Sequence, residues 1–281
     1  MTFSKNNIPM LGATVGLRRA HHDDIIAQQP ELPWFEILTE NYLNRGGAVR
    51  QELDTIAKRY PMATHGIAMS VGGTDPLDAA HIAAVKKLNQ QIGARWTSEH
   101  LSFNSAEHTN LSGLIPLPFT SEAVDNVAAR VHRIQQDLEL PFLLENVTYY
   151  MTISQREMSE LEFLQAVLDR ADCGLLLDVT NVHINARNNG YDAEAFIRAL
   201  PPERIAQIHL AGFNEPEEGA LIKDTHDSPV NTAIWDLYRL TLDHVGPVNT
   251  IIERDSNIPA FEELLAESRQ AQTILDEFTE A

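Results

Sequence analysis

Imidazole and carboxylate side chains recur at the ends of short apolar runs throughout the 281-residue chain. His65 lies in MATHGIA, Glu99 and His100 in SEH, Glu145 in LLEN, and Asp178 with Asn181 in LLLDVTN. His209 follows in IHLAG, and Glu253 with Asp255 in IIERD. The segment KDTHD adds Asp224, His226 and Asp227 and is the densest local signal. Two chemistries use such a set. Carboxylates can bridge cations while neutral imidazoles complete the coordination shell, or a few of these groups can act as general acids and bases. The set is larger than acid–base catalysis requires, and carboxylates packed together without cations would force some of their number to stay protonated. A single His or Glu at a strand end is usually a hydrogen-bonded structural residue. The conjunction over six successive strands is what points to a polynuclear metal centre.

Such a centre needs a frame that gathers distant residues. Eight apolar, β-prone runs are spaced along the chain: Ala13–Leu17, Trp34–Leu38, Met62–Ala68, Trp96–Leu101, Phe142–Val147, Gly174–Val179, Ala206–Ala211 and Thr250–Glu253. Each has the length of a strand buried on both faces. The stretches between them read as helices. Ser154-Gln155-Arg156-Glu157 fits a capping box ahead of Met158, Leu161, Leu164, Val167 and Leu168. Asp75-Pro76 fits a helix start, and Val124, Val127, Ala128, Val131, Ile134 and Leu138 line one helical face. Further helices are expected near Asp192, Pro229 and Pro259. Eight strands with helical connections predict an α/β fold, a single (β/α)8 TIM barrel over residues 1–281, whose strand ends converge on one catalytic face. A doubly wound open sheet would place a glycine-rich turn after the first strand, and Gly12 and Gly16 do not make one.

Composition narrows the function classes. Forty acidic against 21 basic residues give a net charge of −19, which argues against binding a phosphate backbone, so no nucleic-acid partner is expected. The N-terminus lacks an apolar signal region and no apolar run reaches the roughly 18 residues of a membrane helix, so no membrane partner is expected either. The one cysteine, Cys173, suits a reducing compartment, and a cytoplasmic location is expected. Cys173 precedes the sixth strand at the end away from the chemistry and reads as a quiet buried thiol. His183 and His244 are weaker ligand candidates. His21-His22, beside Asp23-Asp24, reads as an exposed helix start, and Trp235–Tyr238 as a helix packing face.

Taken together, HGIAMS (65–70), SEHLS (98–102), LIPLPFT (114–120), LLENVTYY (143–150), LLLDVTNV (175–182), IHLAG (208–212), DTHDSPV (224–230) and IIERDSNIP (251–259) resemble the multinuclear non-heme iron-dependent oxidative enzymes, the group of the methanobactin oxazolone synthase. The likeness runs from about Gly12 to about Glu267 in consistent order. It implies a barrel of the xylose isomerase and endonuclease IV type holding two or three iron ions, with O2 as co-substrate. Carried over by motif, the implied ligands are His65, His100, Glu145, Asp178, Asn181, His209, Asp224, His226 and Glu253, with Asp255 as a proton acceptor.

The resemblance further implies a cysteine-containing ribosomal precursor peptide as substrate and a separate leader-binding partner protein. Products in the group include oxazolone with thioamide, thiooxazole, and excision of the cysteine β-carbon as in 3-thiaglutamate biosynthesis. Arg187, and with it Arg18 and Lys223, are candidates for holding peptide carboxylates. The chain departs from many relatives at Phe213, where they carry a second histidine, and at Thr180 and His183, where they carry asparagine and tyrosine. The donor order alone leaves three alternatives. One is a zinc hydrolase of the endonuclease IV type, against which the acidic charge and Asn181 weigh. The others are a metal-dependent sugar isomerase and a non-catalytic metal carrier.

Overall fold

Successive side chains of a strand point to opposite faces, so in a closed barrel every second residue points into the interior. That rule organises this protein. Its computed structural model describes residues 2–107, 109–151 and 155–279. In chain order the strands are β1 (Ala13–Leu17), β2 (Phe35–Leu38), β3 (Met62–Gly66), β4 (Ala94–His100), β5 (Phe103–Ala106), β6 (Thr109–Ile115), β7 (Phe142–Glu145), β8 (Gly174–Asp178), β9 (Ile205–Leu210) and β10 (Asn249–Ile252). Eight of them close a parallel barrel in the order β1-β10-β9-β8-β7-β4-β3-β2.

The helices are α1 (His22–Gln28), α2 (Gly47–Ala57), α3 (Ala79–Ile92), α4 (Ser121–Leu138), α5 (Glu160–Ala171), α6 (Val179–Asn189), α7 (Ala193–Ala199), α8 (Thr232–Val245) and α9 (Phe261–Thr279). They cover the outer face of the barrel. Val124, Val127, Ala128, Val131, Ile134 and Leu138 are the buried residues of α4, as their spacing predicts.

Three local expectations need correction. The reading of a capping box at Ser154 falls outside the described residues, and the observed box is Ser159 with Glu162, which opens α5. The helix expected at Asp75-Pro76 begins at Ala79, because the Asp78 carboxylate accepts from the backbone N–H groups of Ala80 and His81. His21 and His22 are buried instead of exposed: the His21 ring meets the Pro259 carbonyl, and the His22 ring lies between Glu52 and Tyr42. The connection after β4 also holds an unforeseen antiparallel hairpin, β5 with β6, turning at Glu107 in left-handed backbone.

Inside the barrel the layers follow the period of two. Trp34, Ala63, Trp96, Leu143, Leu176 and Ile251 form an apolar cluster separate from the larger one between sheet and helices. Trp34 and Trp96 meet with ring centroids 4.9 Å apart. Two residues further along the same strands stand Glu36, His65, Ser98, Glu145, Asp178 and Glu253. The sequence thus lays an apolar floor and raises polar side chains one layer above it, at the C-terminal mouth.

Gly212, just past β9, lets the segment after it return to this mouth. A Cβ there would lie 2.1 Å from the carbonyl oxygens of both Ser228 and Pro229, which are backbone and cannot swing aside. Gly212→Ala is therefore expected to displace the segment carrying Asp224 and His226 and to destabilise the fold by about 1–3 kcal/mol. Urea unfolding measures this, and a midpoint equal to that of the parent would refute the close-approach account.

Candidate metal centre

Four imidazoles converge at the mouth. His65 Nε2 and His100 Nε2 lie 3.0 Å and 3.2 Å from the same oxygen, Glu145 Oε2. His209 Nδ1 lies 3.7 Å from the other Glu145 oxygen and 3.2 Å from Glu253 Oε2. His226 Nδ1 is 3.1 Å from Glu253 Oε2 and 3.5 Å from Asp255 Oδ2. Its Nε2 is 2.6 Å from Asp224 Oδ1 and 3.7 Å from Asp178 Oδ2.

Among the described residues three donor groups result: His65, His100 and Glu145; Glu145, Asp178, His209 and Glu253; and His226, Glu253 and Asp255. Within each group the donor atoms lie within 4.8 Å of one another. That spacing suits donors about 2.0–2.3 Å from a shared cation. Glu145 belongs to the first two groups and Glu253 to the last two, so the three are fused through carboxylates able to bridge.

Hydrogen-bond accounting tests whether these residues fit cations. Glu145 Oε2, Asp178 Oδ2, Asn181 Oδ1, Asp224 Oδ1, His209 Nδ1 and both ring nitrogens of His226 are buried without a hydrogen-bond partner. Each such group would cost about 1–3 kcal/mol if left unmade. Several approach one another closely yet lie off hydrogen-bonding axes, as lone pairs aimed at shared points would. The residues fit.

Electrostatics agrees. Burial works against charging His100, yet Glu145 and Glu99 overcome it and hold its pKa up at about 10. Burial would raise Glu145, but His100 and His65 outweigh it and hold the carboxyl down at about 2. Burial, opposed by His226 and reinforced by Glu145 and Asp224, pushes Asp178 up to about 8. His209 and His226 are raised and Glu253 lowered, each against the pull of burial, by the opposite charges facing them. Protons on the imidazoles thus play the part that cations would take over, since metal binding displaces them.

The surroundings hold the donors in place. Asp178 Oδ1 accepts from the Asn181 N–H at 2.7 Å, and the Asn181 side chain donates to the Asn146 carbonyl at 3.0 Å. Asn181 Oδ1 is thereby left facing free of protein donors. Thr148 Oγ1 donates to Asp224 Oδ2, and the Asp224 N–H donates to the Tyr150 hydroxyl. His226 has left-handed backbone at φ 44°, an arrangement that costs a non-glycine residue of order 1–3 kcal/mol and that tertiary contacts must enforce. Arg18 Nη2 reaches Asp255 at 2.6 Å and Glu253 at 3.3 Å, while the Asp255 side chain remains 53% exposed.

Other candidates lie elsewhere. Glu99 accepts from the N–H groups of Met69 and His100 and so ties a loop, and Asp227 accepts from Asn214 and Thr225. Arg187 forms an exposed ion pair with Glu215. His244 meets the Leu200 carbonyl. Cys173 is buried, and burial pushes its thiol up to about 12. Two of the family departures meet in space: the His183 ring packs on Phe213 with centroids 5.3 Å apart. Glu36 was not anticipated, although a carboxylate two residues after an interior tryptophan was a legible signal. It accepts from Gln207 and stands 2.9 Å from His209 Nε2.

A closed eight-stranded parallel barrel with helices outside it is a TIM barrel, and solved xylose isomerase-like structures show the same frame. A D-allulose 3-epimerase from Methylomonas sp. superposes with a TM-score of 0.61 at 16% identity, covering 100% of this chain and 99% of that one. A xylose isomerase domain protein from Alicyclobacillus acidocaldarius gives 0.54 at 14%, covering 92% of each. Sequence goes further than fold. UPF0276 proteins of Acaryochloris marina and Anaeromyxobacter sp. are each 40% identical, over 264 and 265 residues and 94% of this chain, covering 95% and 93% of the relatives. The sequence profile of the RiPP precursor modification enzymes MbnB/TglH/ChrH matches residues 12–276, and the chain belongs to that family.

The fused geometry predicts unequal losses of metal. Glu145→Ala removes a donor shared by two groups and is expected to lower bound metal by two equivalents, whereas His226→Ala lowers it by one. Elemental analysis of reconstituted protein measures both, with cooperative thermal unfolding as the folding control. Equal losses in the two variants would contradict the shared role of Glu145.

Proposed function

We propose that this enzyme uses two or three iron ions and O2 to oxidise cysteine in a ribosomally made precursor peptide, working with a leader-binding partner protein. The observation that carries this reading is the fusion of three donor groups through Glu145 and Glu253, found in a chain of a precursor-modifying family. His65, His100, Glu145, Asp178, Asn181, His209, Asp224, His226 and Glu253 would hold the ions. A set of carboxylates and imidazoles without thiolate suits iron, and the motif resemblance favours it over zinc or manganese. Iron bound there would supply an open position for the substrate thiolate and the electrons that O2 takes up.

The chain's own residues supply the rest. Its one thiol, Cys173, lies buried just before β8, at the barrel end opposite the donors, so the reacting sulfur is the peptide's. Asp255 is the most accessible carboxylate of the three groups and is poised to accept the thiol proton. Arg18 orients it from one side while His226 approaches from the other. The apolar floor of Trp34, Trp96, Leu143 and Leu176 closes the barrel beneath the centre, so substrate and proton exchange proceed at the mouth. Arg187, exposed and paired with Glu215 outside the donor groups, is the candidate for meeting peptide carboxylates.

Mass spectrometry of a cysteine-containing precursor co-expressed with this protein and its partner tests the reading. A mass change that maps to cysteine and requires iron and O2 is expected. An unchanged peptide in the presence of precursor, partner, iron(II) and O2 would refute it. Asp255→Asn, whose amide oxygen can still serve the third donor group but cannot take up a proton, is expected to keep metal content while lowering turnover by about 10²–10⁴-fold, the usual contribution of a positioned proton acceptor.

A further inference from the structure

The four imidazoles differ in what stands behind them. His65 Nδ1 lies 2.8 Å from Ser98 Oγ, and His100 Nδ1 lies 2.9 Å from the Gly66 carbonyl. Both ring nitrogens of His226 lack a hydrogen-bond partner. His209 differs from these three in having a carboxylate at hydrogen-bond distance behind it: its Nε2 lies 2.9 Å from Glu36 Oε1, whereas Glu99 stands 3.8 Å behind His100. The groups involved are buried: Glu36 is 4% exposed, and Gln207 and His209 are 0% exposed.

The direction of every hydrogen bond in this chain follows from one end. The Trp96 indole can only donate. It lies 2.6 Å from Gln207 Oε1, which must accept, so the Gln207 amide nitrogen donates to Glu36 Oε2 at 2.7 Å. Glu36 Oε1, a carboxylate oxygen that can only accept, then takes the His209 Nε2–H at 2.9 Å; the Gln207 amide nitrogen also stands 3.0 Å from this Nε2, but its N–H is already turned to Glu36 Oε2. Once a cation displaces the second proton, the His209 ring keeps the one on Nε2 and has a lone pair on Nδ1. That atom faces Glu145 and Glu253 and makes no hydrogen bond of its own. The reverse arrangement would set an unprotonated Nε2 against a Glu36 oxygen that can only accept.

We propose that Glu36 is a positioning residue of the metal centre: it fixes His209 as the Nε2–H tautomer, turns Nδ1 toward the cation shared with Glu145, Asp178 and Glu253, and makes that position the tightest of the three. Two effects combine. An imidazole that donates to a carboxylate becomes a more basic ligand. The central position also combines three carboxylates with this imidazole, more donors than either flanking group has. The inference rests on the metal reading of the site but not on the peptide chemistry, and metal alone tests it.

Glu36→Gln separates tautomer control from packing. In the variant the new amide oxygen can accept from Gln207 while the new amide nitrogen donates to His209 Nε2. Every buried group keeps a partner, yet the ring proton moves to Nδ1 and blocks coordination. Anaerobic iron(II) titration against a competing chelator is expected to show the tightest equivalent weakened by about 10–100-fold, with the other equivalents unchanged. Ser98→Ala, behind His65, should leave that tightest equivalent intact. In parent protein loaded with diamagnetic zinc, ¹⁵N spectra of the His209 ring should place the proton on Nε2 and the metal on Nδ1.

Unchanged affinities in Glu36→Gln, or uniform weakening of all equivalents, would overturn the proposal. So would a proton on Nδ1 in the zinc-loaded parent, a result that does not depend on whether the variant folds. A protein that loads metal as expected but leaves the peptide unmodified would count against the proposed reaction and leave the role of Glu36 standing.

Discussion

The constraint on which the mouth of this barrel depends is charge in a dry space. Glu36, Glu145, Asp178, Asp224 and Glu253 are gathered above an apolar floor, with Asp255 at the rim. Against them stand His65, His100, His209, His226 and Arg18. A carboxylate taken from water must be paired or protonated, and the push of Asp178 up to about 8 records how incompletely the imidazoles meet that demand. Cations meet it with fewer groups, because each neutralises two carboxylates and satisfies several lone pairs together. The orphaned oxygens and nitrogens of the site are atoms that such cations would satisfy.

Rigidity falls from the floor to the rim. His65, Glu145, Asp178 and His209 are strand residues held by the barrel ladders, and Ser98 beside His65, Asn146 beside Asp178 and Gln207 beside His209 are buried as well. Asp224, His226 and Asp255 sit on loops, kept in place by Thr148, Tyr150, Arg18 and the strained backbone of His226. Precision is greatest where the donors are shared, and adaptability is greatest where a peptide would arrive. Sites built on strands hold geometry better than sites built on loops, whereas loops permit substrate entry.

Most of this frame was legible in the sequence because barrel strands carry two independent signals, apolar runs and turn residues between them. The eight barrel strands fall within about two residues of the expected runs. The donors were legible for a related reason: a charged residue at the end of an apolar run has no packing role to explain it. Glu36 escaped attention because it lies inside its run, WFEIL, and only the barrel topology sets it beside His209, 173 residues away. His21 and His22 were misjudged because Asp23 and Asp24 dominate the local polarity, while the contacts that bury the imidazoles come from Glu52, Tyr42 and Pro259. The β5–β6 hairpin grows from short-range alternation too brief to stand out between two long elements.

The fold by itself does not select a reaction. The epimerase with a TM-score of 0.61 shares 16% of its residues with this chain, and that likeness establishes the frame alone. What the frame provides is a ring of eight strand ends, each able to present one inward side chain at the mouth. Chemistry enters through what fills those positions. Here His65, His100, Glu145, Asp178, His209 and Glu253 occupy six of the eight strand ends, Glu36 stands within a seventh strand, and the loops add Asp224, His226 and Asp255. One cation would leave donors of this set unpaired and repelling one another. The number of donors, more than the identity of any one of them, is what supports the proposal of a fused centre.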